Sequence, residues 1–368
     1  MDNKLTYSGS GVDYNSMDPF KRFAQKAAQN TSKNIERFNF KELPMSRGES
    51  VYLIETPNSY IAHVEEGLGT KNIVADKMYK LTGKSFYKNI AQDAVAAIVN
   101  DLITLGALPI SVAMHLAVGN SNWFNNEKLS KDLIDGWEHA CNLSKCVWGG
   151  GETPTLKDIV YPETAVISGS AVGIIQPKER IITADIQDGD VIVLIESSGI
   201  HANGLTLARK IAENLPDGYL TKLEDGRTYG ETLLDQTIIY VPLIEDCLNN
   251  EINIHYTVNI TGHGWRKLMR ATKPFIYTIE NILVSHPVFE FIQQHSQADD
   301  KEMYGNFNMG AGFAIYVPEK DAEKVVLIAK NNNLKAWIAG NITKSSNDKK
   351  VIIKPKNIVF EGFSLGVR

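Results

Sequence analysis

Between residues 86 and 105 the chain carries Ile90, Ala94, Ile98, Leu102 and Leu105 at helical spacing, with Gly106 and Pro109 just beyond. Apolar residues three to four apart predict one long helix with a buried face, and the glycine and proline predict where it stops. Such a face needs a sheet or a second helix to lie against. The neighbouring sequence offers both. Runs 51–54 and 60–64 read as short strands around the turn Pro57-Asn58-Ser59, 110–118 and 165–175 as longer strands, and 127–144 as an amphipathic helix. Residues 147–151 read as a strand running into a glycine turn.

Gln176-Pro177-Lys178-Glu179-Arg180 is a polar, proline-containing connector. It predicts a boundary between a domain of residues 1–176 and one of 177–368. The second half opens on a buried-type strand at 191–196, followed by a loop and a helix at 205–214. Its end alternates strand, helix, strand, strand over 313–317, 321–332, 337–342 and 350–353. The expected class is α+β in two domains, and 368 residues suit two cores of ordinary size.

A net charge of −5 argues against nucleic acid or an anionic membrane as the main partner. The polar N-terminus has no signal-peptide pattern, and no run approaches the ~18 apolar residues of a membrane span. Cys141, Cys146 and Cys247 show no metal-ligand spacing, which predicts reduced thiols in a cytoplasmic protein. No GxSxG and no His/Cys cluster is present, against a serine hydrolase and against zinc.

Six short stretches carry residues suited to chemistry. In Glu65-Glu66-Gly67-Leu68-Gly69-Thr70-Lys71, carboxylates can hold a hard cation, glycines let backbone N–H groups approach phosphate, and lysine adds charge. An acidic hairpin turn with a solvated lysine fits the same residues. Asn100-Asp101 sits in the long helix among apolar neighbours, so Asp101 either faces solvent or meets a cation. Gly149-Gly150-Gly151-Glu152 needs a sharp turn or lets a ligand approach closely, or is a plain strand-to-loop turn with a solvated Glu152. Ser197-Ser198-Gly199-Ile200-His201-Ala202-Asn203-Gly204 joins a strand to a helix and suits an anion, or is a turn and cap. Thr261-Gly262-His263-Gly264 and Asn306-Phe307-Asn308-Met309-Gly310 are weaker glycine turns.

In order, these stretches resemble the aminoimidazole ribonucleotide synthetase (phosphoribosylformylglycinamidine cyclo-ligase) family. The match runs from Tyr7 to about Ile342, with Gly11-Val12-Asp13, Ala91-Gln92-Asp93 and Gly106-Ala107-Leu108-Pro109 as further markers. The resemblance implies an ATP- and Mg²⁺-dependent ligase of purine biosynthesis acting on a small ribonucleotide. It implies a homodimer whose N-terminal α+β halves, which bind ATP, pair into a barrel-like sheet. Each chain then adds a C-terminal α/β half on the substrate side.

By residue, the resemblance implies Glu66 and Asp101 as metal ligands. Gly67, Gly69, Thr70, Lys71, Gly150, Gly151 and Glu152 would lie on the nucleotide, and Lys71, Asp101, His201 and Asn203 would be catalytic. Other ATP-using enzymes of the superfamily, or a non-catalytic nucleotide-binding paralogue, are the alternatives. The Cys-free ends speak against the selenium and hydrogenase-maturation types. Two departures stand out. Glu66 replaces an aspartate of the family pattern, and 36–43 lacks the family's glycine-rich flap.

Overall fold

A computed structural model describes residues 14–365. The markers at Tyr7 and at Gly11-Val12-Asp13, and the last three residues, lie outside the described residues.

The first sheet holds β1 (Lys41–Glu42), β2 (Tyr52–Glu55), β3 (Tyr60–Gly67), β4 (Leu108–Val118), β5 (Val147–Glu152) and β6 (Ala165–Ile175), in the order β1-β2-β3-β6-β4-β5. Burial alternates along β6, with Ala165, Ile167, Ala171 and Ile175 inside and Val166 and Val172 outside. The inner face receives the helix predicted at 86–105. Among the helices, α1 (Tyr14–Gln29) and α2 (Lys71–Thr82) precede this α3 (Tyr87–Leu102), and α4 (Glu127–Leu143) packs on it. Thirteen of the sixteen α3 residues are buried, and each large apolar side chain among them contributes about 1.5–3 kcal/mol. The polar residues on this helix therefore need partners.

The second sheet runs β13-β12-β9-β11-β7-β10-β8. Its strands are β7 (Val191–Glu196), β8 (Tyr256–Asn259), β9 (Phe275–Ile279), β10 (Ala311–Val317), β11 (Ala336–Lys344), β12 (Lys350–Ile353) and β13 (Ile358–Glu361). Only β12 and β9 pair in parallel; the other pairings are antiparallel. The C-terminal half is thus a mixed, mostly antiparallel layer with helices such as α5 (Leu205–Asn214), rather than the parallel arrangement that α/β suggests.

The glycines 149–151 form strand rather than turn. β5 pairs in parallel with β4 so closely that a Cβ on Gly149 would lie 2.2 Å from Ser111 Oγ, and one on Gly151 2.1 Å from Met114 O. Bare backbone is what lets this edge strand approach.

The halves are stitched along α3. The extended stretch 234–240 supplies backbone groups to its polar side chains. Asn89 Nδ2 donates to Leu234 O (2.7 Å), Gln92 Nε2 to Thr237 O (2.9 Å) and Asn100 Nδ2 to Ile238 O (2.8 Å). Asn100 Oδ1 accepts from Tyr240 N at 2.9 Å. The helix-unfriendly Asn100 is therefore an inter-domain fastener.

Candidate active site between the two halves

Strand alternation separates the two acidic residues of the 65–71 stretch. Glu65 points to the open face of the first sheet and is exposed, whereas Glu66 points inward and is half-buried. On that side the C-terminal turn of α3 brings Asp101, buried, with Oδ1 accepting from Asn259 Nδ2 of β8 at 2.7 Å. Glu66 and Asp101 line one cavity of about 290 Å³. Its other walls come from Gly48–Ser50 on one side and Thr261–Arg270 of the C-terminal half on the other.

The charges in this cavity act on one another. Burial first, and then the Asp101 carboxylate, push the Glu66 carboxyl up to about 7. Lys267, only 6% exposed, is pushed down to about 8 by burial, against the pull of Asp101. Its Nζ donates to Thr261 Oγ1 at 2.6 Å. Arg270 donates to Gly48 O at 2.8 Å and lies 3.4 Å from Glu49 Oε2.

Lys71 is placed elsewhere. Gly69, with φ +78°, turns the chain from β3 into α2, and Lys71 is the first residue of that helix. Its side chain runs inward with no exposure. Nζ lies 2.8 Å from Asp93 Oδ2 and donates to Asp235 O at 2.6 Å. Asp93 Oδ1 accepts from the Thr237 N–H (2.8 Å) and hydroxyl (2.5 Å). Gly67 ends β3, Gly69 and Thr70 shape this turn, and none of the three lines the cavity.

His201 and Asn203 lie on the loop between β7 and α5. His201 is buried in a left-handed conformation (φ +57°), and its Nε2 accepts from Ser198 N at 3.3 Å. Burial, followed by the charge of Lys71, pushes its pKa down to about 3, so the ring is neutral at ordinary pH. Ser198 Oγ donates to Gln236 O of the inter-domain stretch. Asn308 fastens the loop from the other side, accepting from Ser197 Oγ and donating to Gly199 O, both at 2.9 Å. At Gly204 (φ +80°) a Cβ would lie 2.1 Å from the Phe307 ring, which excludes any side chain there. Gly150, Gly151 and Glu152 are exposed on β5, three strands from β3.

The fold thus brings Glu66 and Asp101 together. It sets Lys71 behind them, and places His201 with Asn203 and the Gly150–Glu152 edge outside the cavity lining. Lys267 and Arg270 were not among the residues picked out from sequence. The only local signal for them was a basic pair following the turn Thr261-Gly262-His263-Gly264.

The profile of the AIR synthase related protein N-terminal domain matches residues 50–175, and that of the C-terminal domain matches 187–353. The chain is 35% identical over 354 residues to a phosphoribosylformylglycinamidine cyclo-ligase of Methanocaldococcus jannaschii, covering 95% of this chain and 96% of that protein. It is 32% identical to the protein of that name from Carboxydothermus hydrogenoformans, covering 95% and 99%. Among solved structures it resembles a HypE–HypF complex, with TM-score 0.61 and 17% identity over 85% of this chain and 92% of that one. It also resembles AaThiL complexed with AMPPCP and TMP, with TM-score 0.58 and 13% identity over 84% and 89%. The chain belongs to the AIR synthase related family. Within it, the curated relatives of near-equal length are cyclo-ligases, as the resemblance implied.

Proposed function

We propose that this chain is a phosphoribosylformylglycinamidine cyclo-ligase, using ATP to close the imidazole ring of aminoimidazole ribonucleotide. The observation that carries the reading is the 35% identity with the Methanocaldococcus jannaschii enzyme over nearly the whole of both chains. The ATP-analogue complexes of fold neighbours, AaThiL and T. maritima PurL, support a nucleotide.

In the reaction the γ-phosphoryl group of ATP moves to the formyl-amide oxygen, leaving ADP. An amine of the same molecule then attacks that carbon, phosphate leaves with the C–O bond electrons, and the ring closes. The protein's part is positioning and charge. Glu66 and Asp101 fit a magnesium ion. Their carboxylates face one cavity and repel each other, and no group of three potential ligands occurs among the described residues. Two carboxylates suit a cation that keeps waters and takes phosphate oxygens. Bound there, Mg²⁺ would offset charge on the transferring phosphoryl group. Glu66 supplies its carboxylate from a rigid strand, and Asp101 is oriented by the amide of Asn259.

We assign Gly67, Gly69, Thr70 and the edge Gly150-Gly151-Glu152 to the nucleotide side, and His201 and Asn203 to the substrate side. The neutral ring of His201 would serve as a hydrogen-bonding group rather than a cation. Lys71 orders the turn rather than touching phosphate. The open face of the first sheet, where Ile110, Val147, Val166 and Val172 are exposed, supports a dimer. Such a dimer would complete the sheet layer. The free cysteines support a reducing, cytoplasmic setting.

Purified protein given formylglycinamidine ribonucleotide, ATP and Mg²⁺ should release ADP, phosphate and the cyclised ribonucleotide in equal amounts. A folded protein without ring closure overturns the reading.

A further inference from the structure

Two buried lysines stand on either side of the junction, and their surroundings differ. Lys71 has Asp93 Oδ2 at 2.8 Å. Lys267 is 94% removed from solvent yet forms no ion pair among the described residues, and its Nζ donates to one neutral hydroxyl, that of Thr261. An ammonium has three donors. Two remain, on a side chain that lines the cavity of Glu66 and Asp101. Burying an ammonium with no anion in ion-pair contact is costly, and a bound anion would offset that cost.

The other cations of the cavity are engaged. Arg270 is held by Glu49 and Gly48, and Lys21, on α1, lies 3.4 Å from Asp18 and is largely exposed. The cavity is therefore bipolar, with Glu66 and Asp101 on one wall and the Lys267 ammonium on another. About 290 Å³ admits a phosphoryl group with a hydrated cation, and is small for a whole nucleotide.

We infer that Lys267 binds the oxygens of the transferred phosphoryl group, opposite the Glu66–Asp101 wall, the task that the glycine-lysine stretch suggests for Lys71. This rests on the reading of the chain as an ATP-dependent cyclo-ligase. It goes beyond that reading in naming the group on the protein that meets the γ-phosphate. Lys267 is then a binding residue for the anion in both half-reactions, first as part of ATP and then as leaving phosphate.

The test is calorimetric titration of the full chain, in Mg²⁺, with AMPPCP and with ADP. The variants are Lys267→Met, Lys267→Arg and the control Thr206→Ala, a half-buried position on α5 outside the cavity. Losing charge-assisted hydrogen bonds should weaken AMPPCP roughly tenfold or more in Lys267→Met. ADP should change far less, and Lys267→Arg should recover part of the loss. Equal AMPPCP affinity in wild type and a folded Lys267→Met variant overturns the inference, as does an equal loss for ADP and AMPPCP. Should Lys267→Met fail to fold, the melting temperature of wild type in inorganic phosphate decides. A rise that Lys267→Arg retains supports the site, and no rise overturns it. Ring closure by wild type is scored separately. Its absence removes the cyclo-ligase reading, while the phosphate and AMPPCP arms still report on Lys267.

Discussion

Lys71 Nζ and Asp93 Oδ2 stand 2.8 Å apart with neither side chain exposed, and both reach across to the stretch 234–240 of the other half. A buried pair of this kind is costly to break from one side, by about 3–5 kcal/mol, because the remaining charge has no partner. Lys71→Met should lower the denaturation midpoint accordingly. Adding Asp93→Asn, which keeps an acceptor for Thr237, should recover much of the loss. Equal stability of Lys71→Met and wild type, measured by denaturant titration, would show that the pair carries nothing.

Asp101→Asn keeps the shape of a residue whose Oδ1 already accepts from Asn259. The fold should survive with a change of about 1 kcal/mol or less. The Mg²⁺ concentration for half-maximal turnover should rise by roughly tenfold or more. An unchanged Mg²⁺ dependence would return Asp101 to a structural role.

His201 sets a pH dependence of stability. Burial pushes its pKa down to about 3 in the fold, from an ordinary value of 6.5. Between those values the unfolded chain binds the extra proton, so stability present above 6.5 is lost as the pH falls toward 3. His201→Asn keeps a residue tolerant of φ +57° and removes the titration. The slope of stability against pH from 6.5 downward should be shallower in the variant. Identical slopes in denaturant titrations at several pH values would contradict the burial of a neutral ring.

Val166 and Val172 lie on the outer face of β6, 49% and 43% exposed. If that face meets a second copy, Val166→Glu with Val172→Glu places unpaired charge in the contact and should weaken dimerisation roughly tenfold or more. Sedimentation of wild type and variant reads this directly. A wild type that sediments as a monomer would remove the dimer from the reading.

Periodicity carried the elements because burial is one-sided. The stripe from Ile90 to Leu102 and the alternation of β6 each follow from a single face meeting the core. The 147–151 reading failed because glycine serves a turn and a tightly packed strand equally well, and only the neighbour at Ser111 and Met114 decides. Asn100 and Asp101 are adjacent, yet one fastens the halves and the other lines the cavity. That split depends on where residues 238 and 259 arrive, which no local window contains. Lys267 went unnoticed for the same reason. Its lysine looks ordinary beside Leu268 and Met269 until the fold shows it buried without an ion pair among the described residues.

The stretch 234–240 also sets how a ligand gets in. A swing of one half away from the other would have to break, together, the bonds of Asn89, Gln92, Asp93 and Asn100 to that stretch, and the Lys71 bond to Asp235. Those of Gln92 and Asp93 are shielded from water, so they are not cheaply replaced by solvent during the motion. The cleft therefore behaves as a fixed frame with a movable rim. Access falls to the side of the cavity formed by α1 and Gly48–Ser50, where Lys21 is exposed. Turnover should then be paced by local rearrangement at that rim, on the timescale of loops, with the two halves staying locked throughout the cycle.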